Sequence, residues 1–102
     1  MTYRIRYTKI FQKELEKIHN YIEKKLFAPK SADRLVEKVR KEVEELKNTP
    51  RAFCLLGKSK DGNIEKHRLI VKNYIIIYQV NLIKKEVQIL HIFYSKKNYL
   101  KN

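Results

Sequence analysis

Glycine, proline and cysteine are nearly missing from this sequence, and tryptophan is absent: 102 residues carry two Gly, two Pro and one Cys. Each shortage excludes something. A lone cysteine, Cys54, rules out a disulfide framework within the chain and fits a reducing compartment. Few glycines and prolines beside 43% hydrophobic residues rule out a disordered basic tail protein. No apolar run approaches the roughly 20 residues of a membrane span, and the Met1–Arg6 segment holds no apolar signal-peptide core. The expectation is a soluble cytoplasmic protein with no membrane role, one domain over 1–102, and a small but real core. No Cys/His spacing suggests a metal site, and nothing calls for a cofactor.

Acid is also scarce, and unevenly so. The formal net charge is +13, yet residues 10–48 hold ten Lys/Arg against eight Asp/Glu, a net of +2. The other +11 lies in the first nine residues, the segment after Pro50 and the tail. Positive charge predicts a polyanionic partner. Charge confined to one part of a small fold predicts a face for it.

Residues 3–8 alternate, with Tyr3, Ile5 and Tyr7 on one side and Arg4, Arg6 and Thr8 on the other, which is a half-buried strand with a basic outer face. Thr8 reads as a helix N-cap. Phe11, Leu15, Ile18, Ile22 and Leu26 then keep helical spacing, giving a helix over roughly 9–27 that Ala28-Pro29 breaks. A second helix starts at Ser31 or the residue before it, buries Leu35, Val36, Val39, Val43 and Leu46, and stops before Pro50. The short connection makes an antiparallel hairpin.

Beyond Pro50 the period changes. Phe53–Leu56 is a short apolar run, 57–63 a polar loop with Asp61-Gly62 as turn signal, and Ile64–Val71 a strand with interleaved charge. Asn73 marks a tight turn. Tyr74–Val80 is so apolar that it belongs at the sheet centre, buried on both faces. In the last strand Val87, Ile89, His91 and Phe93 alternate with Gln88, Leu90, Ile92 and Tyr94, and 95–102 form a basic tail without acid. The fold class is α+β: an N-terminal strand, then a two-helix antiparallel hairpin packed on one face of a mainly antiparallel sheet of four or five strands. The other face is free to carry the basic strand residues.

This layout resembles the RelE/ParE superfamily of toxins from bacterial type II toxin–antitoxin pairs. Three stretches carry the resemblance: "ELEKIHNYIEKK" followed by "SADRLVEKVRKEVEELKNTP"; "HRLIVKNYIIIYQV"; and "VQILHIFYSKKNY". The helical text is closer to the ParE branch. The resemblance implies a growth-arresting toxin of the plasmid-stabilisation type, with RelE-like ribosome-dependent mRNA cleavage as the first reading and ParE-like gyrase inhibition as the alternative. RelE-like toxins are metal-independent endoribonucleases that cut mRNA in the ribosomal A site; ParE-like toxins poison DNA gyrase without nuclease activity. A third alternative is a degenerate toxin fold that only binds nucleic acid or antitoxin. RelE-type enzymes carry a Lys pair at the positions matching Lys66 and Arg68, so that a basic pair is kept here, together with an Arg immediately after the Tyr matching Tyr74, an Arg in the loop after the final strand, where Lys97 lies, and a C-terminal Tyr near Tyr99. Here the residue after Tyr74 is Ile75, a departure. The His-Tyr pair of YoeB-type relatives is absent near Ser95.

RNA cleavage without metal uses the 2′-OH as nucleophile, so the site must take its proton, neutralise the phosphorane and protonate the leaving oxygen. Arg68, Lys66 and Lys97 are the candidate phosphate ligands, and Tyr94 or Tyr99 the candidate proton carriers or base-stacking rings. RNA binding extends over Lys66, Arg68, Lys96, Lys97, Arg4 and Arg6. Plainer readings stand beside these. His91 is a packing or rim residue, His19 an exposed structural one, Cys54 a small buried hydrophobe, and Tyr74 and Tyr78 core residues. Lys96 and Lys97 are solvated tail charge, and Arg68 is one half of a salt bridge to Glu65 or Glu86. The implied partners are a cognate acidic antitoxin, partly disordered until bound, and the ribosome with its mRNA, or else DNA gyrase.

Overall fold

The computed structural model describes residues 2–95, so Lys96, Lys97, Tyr99 and the basic tail lie outside the described residues. The chain runs β1 (Arg4–Tyr7), α1 (Lys9–Asn20), a π-helical turn (Tyr21–Lys25), α2 (Pro29–Glu44), a 3-10 turn (Glu45–Lys47), β2 (Cys54–Lys58), β3 (Ile64–Val71), β4 (Tyr74–Asn81) and β5 (Glu86–Tyr94). One five-stranded sheet has the order β1-β5-β4-β3-β2. Only β1–β5 is parallel, and β2–β3, β3–β4 and β4–β5 are antiparallel. This is the expected α+β architecture, with β4 at the centre. No helix among the described residues is long and apolar enough to cross a membrane.

One sheet face carries the hairpin. Leu35, Val39, Val43 and Leu46 follow at spacings of three and four and are fully buried, as is Phe11 from α1. They meet Leu69 and Val71 of β3, Ile76, Tyr78 and Val80 of β4, and Val87, Ile89 and Ile92 of β5. Each such side chain contributes roughly 1.5–3 kcal/mol on burial, and together they set which face of every strand points inward.

The helix boundaries differ from the periodicity. The α-helix ends at Asn20 rather than continuing to 27, and a wider turn follows, with Leu26 N–H donating to Tyr21 C=O at 3.3 Å and Ala28 N–H to Ile22 C=O at 3.1 Å. Apolar spacing registers a helical path but does not distinguish one winding from the other. The second helix begins at Pro29, ahead of Ser31, because proline's fixed φ and missing N–H suit a first helical position.

The edge strand also corrects two expectations. β2 runs on through Gly57 and Lys58, which pair with Lys66 and Glu65 across a bulge at Leu56. Cys54 is exposed rather than buried, because the whole of β2 lies at an uncovered sheet edge. In β5 the alternation breaks. A bulge at Leu90 lets Val87 and Ile89 share the inner face with Ile92, and turns His91 and Phe93 outward. Two side chains brace it: Thr8 Oγ donates to Ile89 C=O at 2.7 Å, and Glu14 accepts from Ile92 N–H at 3.0 Å.

Candidate functional site

Alternation along β3 separates two groups of charges. Glu65 and His67 point inward and are 2% exposed, while Lys66 and Arg68 point away from the helices. The inward pair forms a network. His67 Nε2 lies 2.9 Å from Glu65 Oε1, its Nδ1 lies 3.0 Å from Phe53 C=O, and Arg51 donates twice to Glu65 at 3.0 and 2.9 Å. The His67 ring stacks on Tyr78, whose hydroxyl donates to Pro50 C=O at 2.8 Å. Burial alone pushes the Glu65 carboxyl up, but the hydrogen bonds and charges of His67 and Arg51 outweigh it and hold the carboxyl below its usual range. Burial keeps Tyr78 protonated far above the usual phenol range. The network clamps the 50–53 segment beneath β3, and it fixes the backbone from which Lys66 and Arg68 project.

On the helix-free face, strand register places residues in rows. Arg6, Gln88, Gln79 and Lys66 lie side by side across β1, β5, β4 and β3. Three strand spacings make this polar row about 14 Å long. The next row is Arg4, Glu86, Asn81 and Ile64, in which Arg4 and Glu86 approach at 3.8 Å. On the other side lies the row His91, Ile77, Arg68 and Cys54, followed by the apolar Phe93, Ile75 and Ile70. Ile75 is fully buried. A shallow groove of ≈ 400 Å³ opens beside Lys66, bounded by Gln79, Lys58 and Ser59. A second groove, ≈ 580 Å³, lies on the helices between His19 and Arg40 and is remote from the basic rows.

Arg68 forms no salt bridge to Glu65 or Glu86, which are engaged by Arg51 and Arg4. Its Nε is buried and has no hydrogen-bond partner among the described residues. A half-buried guanidinium with an unused donor is suited to receive an anion.

The structure thus brings Lys66, Arg68, Arg4 and Arg6 onto one face. Tyr94 is not with them: it sits on the helix side, its ring 5.6 Å from that of Tyr74 in an edge-to-face contact. Lys96, Lys97 and Tyr99 lie outside the described residues. His91 is engaged by Glu14, Nδ1 to carboxylate 3.3 Å, and His19 by Asp33 at 2.8 Å. The Gln79–Gln88 link between the two basic ends is missed by motif reading. Its signal is two glutamines at outward positions of otherwise apolar strands.

The profile of a family described as "ParE toxin of type II toxin-antitoxin system, parDE" matches residues 5–99, nearly the whole sequence. The chain belongs to the ParE toxin family. Solved structures agree on the fold of the toxin. The chromosomal ParDE system of P. aeruginosa is 20% identical with a TM-score of 0.69, covering 93% of this chain and 98% of that one. The archaeal RelE-RelB complex of Pyrococcus horikoshii OT3 is 25% identical with a TM-score of 0.60, covering 95% and 99%. An arginine-substituted variant of E. coli RelE in the free state is 20% identical with a TM-score of 0.62, covering 96% and 87%. The toxin is therefore a member of the RelE/ParE superfamily. Comparison with curated proteins finds no match.

Proposed function

We propose that this toxin arrests growth by inhibiting DNA gyrase, without cutting RNA, and that a cognate acidic antitoxin neutralises it. Ile75 carries the reading. The resemblance to RelE-type nucleases calls for an arginine after Tyr74, and here that position holds a fully buried isoleucine flanked in register by Ile70 and Phe93. An apolar strip stands where a phosphate clamp is wanted. The match to the ParE family over residues 5–99 supports the same branch. Proton transfer is also poorly served by the rings nearby: Tyr94 faces the helices, and His67 is buried against Glu65.

The antitoxin follows from charge and from the relatives. The similar structures include a RelE-RelB complex and a ParDE system. The basic rows and the +11 carried outside residues 10–48 suit an acidic segment that folds on binding.

Ribosome-dependent mRNA cleavage is the second reading, and one observation favours it: Lys66 and Arg68 share a face, with His91 two strands away in the Arg68 row. Purified toxin separates the two. The gyrase reading expects inhibition of plasmid supercoiling and intact mRNA on programmed ribosomes. Cleaved mRNA with unimpaired supercoiling would overturn it.

A further inference from the structure

The tip of the helical hairpin breaks two rules at one residue. Phe27 has φ +53, a left-handed conformation that follows a helix end and favours glycine. It is also 86% exposed, so no packing of its ring compensates for that backbone. Leu26 and Tyr21, at 55% and 56% exposure, flank it across the π-helical turn, a winding frequent at functional positions. At the end of β5, Tyr74 meets Tyr94, itself 56% exposed.

The charges around the tip are sorted. His19 engages the acids, lying 2.8 Å from Asp33 and 4.0 Å from Glu23. Lys24, Lys25 and Lys30 are exposed and make no ion pair among the described residues. Exposed aromatic rings beside Lys24, Lys25 and Lys30, with Glu23 and Asp33 turned to His19, have the composition of a protein-binding hot spot with a basic flank. The flank chooses an acidic occupant. Nucleic acid is better served by the outer sheet face, where Arg6 and Lys66 share a row and Arg4 and Arg68 lie in the rows beside it.

We propose that Phe27, Leu26 and Tyr21 form the anchor by which the toxin docks on its protein target, an acidic surface with an apolar pocket that receives the Phe27 ring. This deepens the gyrase reading by assigning the contact surface.

Phe27→Gly tests this, because a structural and a binding role predict opposite signs. Glycine accepts φ +53 freely, so the melting temperature is expected to stay level or rise. Inhibition of purified gyrase is expected to weaken by about tenfold or more, and growth arrest on induction to be lost. The double charge reversal Lys24→Glu with Lys25→Glu is expected to weaken inhibition in the same direction. Antitoxin binding and binding of a labelled RNA oligonucleotide are expected to stay unchanged in Phe27→Gly. A lowered melting temperature, unchanged inhibition, or a defect confined to antitoxin or RNA binding overturns the proposal. If the wild-type toxin leaves gyrase untouched, the gyrase reading fails by itself. The tip is then judged by growth arrest: loss in Phe27→Gly supports the anchor, and arrest equal to wild type removes it.

Discussion

Arg68, half-buried, and Glu65, fully buried, are three residues apart on one strand and illustrate opposite uses of charge. Arg68 leaves its Nε without a partner, so removing the guanidinium also removes an unsatisfied group. Arg68→Met is expected to leave stability level or raise it by about 1 kcal/mol, and to relieve growth arrest. A chemical melt beside an induction assay checks both, and an unfolded variant makes Arg68 structural. Glu65 is bonded by Arg51 and His67 in the interior. Glu65→Ala strands His67 in the core and is expected to cost about 3 kcal/mol in urea unfolding. The Glu65 carboxyl is depressed in the folded state, so its contribution is complete above the unfolded value of 4.5 and is lost as pH falls through the lower folded value. Stability should therefore decline below about pH 4.5, more steeply in the wild type than in Glu65→Gln, as followed by thermal melts across an acid series.

At the scale of elements, Thr8 joins three of them. Its oxygen accepts from Phe11 N–H at 3.2 Å to cap α1, and its hydroxyl donates to Ile89 C=O beside the bulge that ends the pairing of β1 with β5. Thr8→Ala is expected to cost about 2 kcal/mol, cap and tertiary bond together, read from the shift in denaturation midpoint. The cap was legible in the sequence because it depends on neighbours three residues apart. So were β3, whose interleaved charges lie between two turn signals, and β4, which is a nearly continuous apolar run. The β5 alternation was not: a bulge changes which residues face inward while leaving composition untouched, and the groups that hold it, Thr8 and Glu14, are some eighty residues away. Burial of Cys54 failed for a related reason, since an apolar residue reads alike on a central strand and on an edge one. The basic pair Lys66 and Arg68 was legible from period-two spacing. Its row with Gln79, Gln88 and Arg6 was not, because register is a property of paired strands.

Over the whole molecule, the sheet divides the charge. The helical side holds residues 10–48 with a net of +2, and Arg4, Arg6, Lys66 and Arg68 gather on the far face. Four neutralised phosphates imply that affinity for double-stranded DNA falls on the order of a hundredfold between about 50 and 200 mM salt, and that Lys66→Gln lowers the slope by about one. Fluorescence anisotropy over a salt series measures both. This face supplies attraction, while the buried Ile75 argues against RNA chemistry on it. The most direct test of gyrase inhibition is the order of arrest after induction, followed by pulse labelling with thymidine and with methionine. The account predicts that thymidine incorporation stops first, with a DNA-damage response, while methionine incorporation continues. Methionine incorporation stopping first, without that response, would contradict it.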